Sequence, residues 1–284
     1  MEILRTPAEM RTWRRSRFSS IGLVPTMGYL HDGHLSLVEA SKGRDDLTVV
    51  SIFVNPTQFG PTEDFSRYPR DETRDLALLE HAGVDADYLP TPGEMYPGGY
   101  QTYVSVSEVS LPLEGAARPG HFVGVATVVL KLFNAIEPDR AYFGRKDAQQ
   151  LRVIRRMVRD LDVPAEIVGC AIVREPDGLA MSSRNVYLSD LERKAAPVIY
   201  RSLEEAGHRF EAGVRDATAL REMVRRLIVG EALCEVEYVS LADDDSLREL
   251  DGAVEGPAVL SVVARFGKTR LLDNIELAPD SHGN

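Results

Sequence analysis

The chain has 284 residues, enough for one large domain or two smaller ones with a sizeable core, and its 44% hydrophobic and 27% charged content is that of a soluble globular protein. A formal charge of −11 argues against a broad nucleic-acid or membrane-binding face, while leaving room for a locally basic pocket. Two distant cysteines, Cys170 and Cys234, give neither metal spacing nor a disulfide framework; with no apolar signal core after Met1 and no run of membrane-spanning length, the expected compartment is the cytoplasm.

In chain order, an apolar run at 21–24 leads through the turn Pro25-Thr26-Met27-Gly28-Tyr29-Leu30-His31-Asp32-Gly33-His34 into an amphipathic run at 35–40, the pattern of strand, glycine-bearing turn and helix. Residues 47–54 are β-branched and aromatic and predict a buried strand. Residues 71–81 predict a surface helix closed by Gly83, and 85–90 a short strand. The valine-rich segment 123–136 exceeds strand length and ends before Pro138, so it is expected to be a buried helix. Residues 140–143 then predict a strand and 148–160 a basic amphipathic helix. Strands alternating with helices imply a doubly wound, Rossmann-like parallel sheet, an α/β fold that binds ligands beyond the carboxyl ends of its strands.

The turn signal Glu175-Pro176-Asp177-Gly178 marks a change. Beyond it, helices are expected at 190–210 and 217–229 and strands at 236–241, 258–266 and 270–275, which make a smaller C-terminal α+β domain. The domains are placed at 1–174 and 175–284, with a hinge near 174–177. Asp243-Asp244-Asp245 before Ser246 reads as a solvated helix start, and the residues from Pro279 as a disordered tail.

Four segments can carry chemistry. In the first, a helix N-terminus offers unpaired N–H groups to phosphate, glycines allow close approach, and His31 and His34 can donate to a departing oxyanion; the alternative is that the histidines simply cap the helix or face solvent. In the second, Phe53-Val54-Asn55-Pro56-Thr57-Gln58-Phe59, the Gln58 amide can bind a hydroxyl and a carboxylate together, with Pro56 and Phe59 as an apolar wall; an ordinary strand-ending turn is the alternative. The third, Tyr142-Phe143-Gly144-Arg145-Lys146-Asp147-Ala148-Gln149-Gln150, offers Lys146 to phosphate and Asp147 as helix cap, ribose ligand or Mg²⁺ ligand, with Gln150 one turn on. The fourth, Leu179-Ala180-Met181-Ser182-Ser183-Arg184-Asn185, is a hydroxyl- and arginine-bearing loop able to close on phosphates, or simply a polar linker.

The first segment resembles the His-x-Gly-His signature of the nucleotidyltransferase superfamily. All four in this order, with Leu113-Glu114-Gly115, Arg118-Pro119-Gly120-His121-Phe122 and Thr269-Arg270-Leu271-Leu272-Asp273-Asn274, resemble the pantoate–β-alanine ligases from residue 3 to residue 276. The resemblance implies ATP-dependent condensation of (R)-pantoate with β-alanine to pantothenate, AMP and diphosphate through a pantoyl-adenylate. It implies an ATP site of Met27, Gly28, Tyr29, Leu30, His31, Asp32, Gly33, His34, Gly144, Arg145, Lys146, Asp147, Val173, Met181, Ser182, Ser183 and Arg184. Of these, His31, His34, Lys146, Ser182, Ser183 and Arg184 are assigned to the chemistry, with His34 as proton donor. Gln58 and Gln150 would bind pantoate, and Gln58 would also lie by β-alanine. A C-terminal lid, a homodimer and Mg²⁺ held mainly by the ATP phosphates are implied as well. Three positions depart from the family pattern: Arg145 and Ala148 replace an acid and an aromatic around Lys146, and Arg74 replaces an acid before Asp75. The competing functions are another adenylyl- or cytidylyltransferase and a non-catalytic ATP-binding protein.

Overall fold

The β-branched runs of the first part of the chain assemble into one parallel sheet. The structure is a computed structural model in which residues 1–60, 63 and 65–279 are described. Two units form, one of Met1–Arg145 with Gln150–Ala171, the other of Lys146–Gln149 with the residues from Ile172 onward.

In the first unit the chain runs β1 (Glu2–Leu4), α1 (Pro7–Arg15), β2 (Ile21–Thr26), α2 (Asp32–Lys42), β3 (Leu47–Ile52), α3 (Glu72–His81) and β4 (Ala86–Tyr88). The short helices α4 (Pro92–Met95) and α5 (Glu114–Ala117) lead to α6 (His121–Ile136), β5 (Arg140–Gly144), α7 (Ala148–Asp160) and β6 (Glu166–Cys170). All pairings are parallel, in the order β1-β4-β3-β2-β5-β6. On one face, Val24, Val50 and Tyr142 pack against Leu37 and Val38 of α2 and Leu79 of α3. Elsewhere α6 packs on β2 and on α1. The winding reverses between β2 and β5, so the crevice beyond their carboxyl ends is where such a sheet takes a ligand.

In the second unit, α8 (Asp190–Ala195), α9 (Val198–Glu211) and α10 (Ala217–Val229) precede β7 (Cys234–Asp243), β8 (Ala258–Phe266) and β9 (Thr269–Leu277), an antiparallel sheet in that order. Leu203, Phe210, Leu220, Val224, Leu241, Leu260 and Val262 fill its core.

The α/β class is as the sequence predicts, with local differences. The helix expected at 190–210 is divided, because Pro197 brings no N–H to the hydrogen-bond ladder and instead stands at the start of α9. Asp243 starts a turn, not a helix: its Oδ1 accepts from Ser246 N (2.8 Å) and Oγ (2.6 Å), and Leu247 takes φ 55°. Beyond Pro279, the expected tail lies outside the described residues.

Candidate active site

The turn after β2 is held in a conformation that its own residues do not favour. Gly28 has φ 78° and Tyr29 φ 51°, the left-handed region that costs a residue with a side chain. The hold comes from α3. Asp75, 1% exposed, accepts from Tyr29 N through Oδ2 (2.6 Å) and from Leu30 N through Oδ1 (2.8 Å). A Cβ on Gly28 would stand 3.0 Å from that same Oδ2. Burial pushes the Asp75 carboxyl up, while the two amides and Arg74 pull it down. Arg74 lies 5.4 Å over the Tyr29 ring and 3.5 Å from Asp75, so this departure from the family pattern is built into the support of the turn.

The two histidines cap α2 reciprocally. His31 Nδ1 accepts from Gly33 N (3.1 Å), and His34 Nδ1 accepts from His31 N (3.4 Å). The rings stand 4.1 Å apart, tilted by 40°. An imidazole that accepts at Nδ1 carries its proton at Nε2, so both rings are locked as Nε2–H donors. Capping therefore occupies Nδ1 of each ring and does not by itself engage Nε2.

Beyond β3, Asn55 organises the second segment. Its Oδ1 accepts from Thr57 Oγ1 (2.9 Å) and Tyr96 OH (2.8 Å), and its Nδ2 donates to Gln58 Oε1 (3.0 Å) and Gly124 O (3.1 Å). Gln58 Nε2 donates to Met27 Sδ (3.1 Å), which joins this segment to the histidine turn. The Gln58 carbonyl is gripped from α6 by His121 Nδ1 (2.8 Å). Burial and Arg118 push the His121 pKa down to about 4, so the ring is neutral and donates at Nδ1. Arg118 faces its Nε2 at 3.2 Å and forks onto Glu63 (2.8 and 2.6 Å). Phe59 packs edge-on against Phe65 and Tyr68, in keeping with an apolar wall.

The third segment divides between the units. Gly144 ends β5, and the exposed Arg145 donates through Nε to Gly169 O of β6 (3.2 Å). Gln150 sits half-buried in the first turn of α7. Lys146 and Asp147 belong to the second unit, where the Lys146 carbonyl accepts from Asn274 Nδ2 (2.7 Å). In that unit Val173 O accepts from Met181 N (3.0 Å). Where a loop is expected, Ser183–Tyr187 form a short 3₁₀ helix, because Ser182 Oγ caps it by accepting from Arg184 N (3.2 Å).

Sequence reasoning did not single out Asp75, Asn55, His121 and Asn274 as supports of these segments. Asn55 had a local signal, an Asn-Pro start of a capped turn. The other three act across long stretches of sequence. Among the described residues no group of three His, Cys, Asp or Glu side chains could hold a metal ion, and Asp75 already spends both oxygens on backbone amides.

A donor-lined helix start at the switch point of a parallel sheet, joined to a buried amide cluster, is the architecture of a nucleotide-using enzyme. The comparisons with known proteins narrow this. Residues 2–276 match the family profile for pantoate-beta-alanine ligase. A pantothenate synthetase of Roseiflexus castenholzii is 57% identical over 96% of this chain and 98% of its own. The pantothenate synthetase structure from Thermus thermophilus superposes with a TM-score of 0.94 at 48% identity, covering 98% of this chain and 100% of that one. A pantoate-beta-alanine ligase from Francisella tularensis, complexed with beta-gamma ATP and beta-alanine, matches at 32% identity and TM-score 0.79 over 97% of each chain. The chain belongs to the pantoate–β-alanine ligase family, carbon–nitrogen ligases of pantothenate biosynthesis.

Proposed function

We propose that this ligase activates (R)-pantoate as an acyl-adenylate and transfers the acyl group to β-alanine. A carboxylate is a poor acylating agent, so the pantoate carboxylate oxygen first attacks the α-phosphorus of ATP. The bond from that phosphorus to the bridging oxygen breaks, and diphosphate leaves. The amine of β-alanine then attacks the acyl carbon, loses a proton and expels AMP.

The reciprocal histidine cap carries this reading. It fixes both rings at the start of α2; in this proposal they and the helix N-terminus stabilise the charge that gathers on diphosphate, with His34 as proton donor. Met27 through His34, Gly144 through Asp147, Val173 and Met181 through Arg184 line the ATP site in this proposal. Lys146 and Arg184 supply charge to the phosphates, and Ser182 and Ser183 hydrogen bonds. Gln58 and Gln150 bind pantoate, and Gln58 also lies by β-alanine. Mg²⁺, if carried by the ATP phosphates, would screen their charge.

Single-turnover formation of pantoyl-adenylate tests the assignment. His34→Ala and Lys146→Ala should each slow it by at least about tenfold, or roughly 1.4 kcal/mol of barrier. Near-normal rates in both variants would contradict it. The proposal extends to residues 175–284 as a lid, to a cytoplasmic location and to a homodimer; light scattering that returns a monomer at micromolar protein would reject the dimer. Among the described residues, no helix is long and apolar enough to cross a membrane.

A further inference from the structure

Within the second unit, β9 is an edge strand, yet its middle carries two almost fully buried polar residues, Asp273 (4% exposed) and Asn274 (2%). Consecutive strand residues point to opposite faces, so the two side chains serve different partners. Asn274 Nδ2 donates to the carbonyl of Lys146 (2.7 Å), 128 positions earlier in the chain. Asp273 takes the Arg174 guanidinium as a fork, Oδ2 to Nη1 at 2.6 Å and Oδ1 to Nη2 at 3.0 Å. Its Oδ1 also accepts from Asn274 N (2.8 Å), which ties the two residues together. Burial pushes the Asp273 carboxyl up, against the pull of Arg174 and, more weakly, of Lys146.

Arg174 does more than neutralise Asp273. It lies 3.9 Å over the Tyr200 ring and donates to Gly178 O (3.1 Å) at the tip of a hairpin. That hairpin is closed by Arg174 paired with Ala180 and by Met181 N to Val173 O. Gly178 takes φ 91°, and a Cβ there would run into the Tyr200 ring, so the tip has one seat. The two residues that leave the hairpin, Val173 and Met181, are those the proposed function sets against the nucleotide.

We propose that Asp273 and Asn274 are positioning residues for the nucleotide, Asn274 fixing the main chain at Lys146 and Asp273, through Arg174, fixing the hairpin that presents Val173 and Met181. One edge strand thereby sets the mutual register of two segments remote in sequence. The inference rests on the reading of Lys146 and the 173–184 segment as nucleotide-contacting.

A double-mutant cycle tests it. Asn274→Ala should slow single-turnover adenylate formation by at least about tenfold in the wild-type background and by less than about twofold in the Lys146→Ala background. Equal losses in both backgrounds, or none in the wild type, would overturn the inference while leaving Lys146 in its role. A Lys146→Ala enzyme of normal rate would instead overturn the site reading, and the inference with it. Arg174→Lys keeps the charge and loses the fork, so it guards against a variant that does not fold. It should raise KM for ATP at least about fivefold, with KM for β-alanine and the concentration of titrated active sites unchanged. A fall in active sites with normal KM for ATP would mark Arg174 and Asp273 as purely structural.

Discussion

Replacing Asp75 by asparagine removes one acceptor from beneath the nucleotide turn and changes little else in shape. The carboxylate takes Tyr29 N at 2.6 Å and Leu30 N at 2.8 Å, one on each oxygen. Asparagine keeps one oxygen and points an NH₂ group at the other amide. A buried hydrogen bond to a charged group contributes about 1.5–3 kcal/mol, and an amide left unpaired costs about 1–3 kcal/mol for the same event. Relief of carboxylate burial offsets part of this, so the net loss is about 2 kcal/mol. That loss can appear in two places. If Gly28 and Tyr29 hold their positive φ values, unfolding free energy falls by about 2 kcal/mol; if the turn relaxes, the histidines lose their aim and adenylation slows up to roughly thirtyfold. Urea unfolding and rapid-quench measurement of the first turnover, on the same variant, read both terms. The two losses, in energy, should sum to about 2 kcal/mol. A variant within about 0.5 kcal/mol of wild type in both assays would refute the idea that Asp75 holds the turn.

Gly124→Ala should raise KM for pantoate at least about tenfold, because a Cβ there would meet the Thr57 carbonyl and stand 2.7 Å from Gln58 N; an unchanged KM would free Gln58 from that role. Asp87, with both carboxylate oxygens buried and unpaired, is pushed up to about 8 by burial, with Glu72 and Asp75 adding to it and Arg5 opposing. Between about pH 4 and pH 8 the folded chain therefore binds a proton that the unfolded chain does not, so this group makes stability fall as pH rises across that window. Asp87→Val should flatten that fall and stabilise most at pH 8 in urea unfolding; parallel pH curves would contradict it. The Arg145 side chain donates to Gly169 O, so in the proposed ATP site Arg145 takes part through its main chain, and Arg145→Glu should leave ATP affinity within about twofold at low and high salt; a loss that salt abolishes would put its charge on the nucleotide.

What was legible in the sequence is what local pattern decides. The run at β3, the valine-rich α6 and the basic stripe of α7 form where composition, length and amphipathic spacing respectively place them. The start of α1 carries a local signal that the sequence reading did not use, since Thr6 and Glu9 form a capping box with Pro7 in the first turn. Strand β6 was not legible: Glu166-Ile167-Val168-Gly169-Cys170 is short and partly exposed at the sheet edge, without alternation or a full apolar run. At the site, motif residues were readable because glycine, histidine and amide side chains carry their chemistry locally. Their supports were not. Asp75 to Tyr29, His121 to Gln58 and Asn274 to Lys146 are contacts over 46, 63 and 128 positions, and only the folded chain brings them together.

The most direct test of the account mixes the purified protein with ATP, Mg²⁺ and (R)-pantoate, with and without β-alanine, and follows diphosphate, AMP and pantothenate. The account predicts a diphosphate burst without β-alanine, and sustained AMP and pantothenate formation only with it. ATP binding with no diphosphate release when pantoate is added would contradict it.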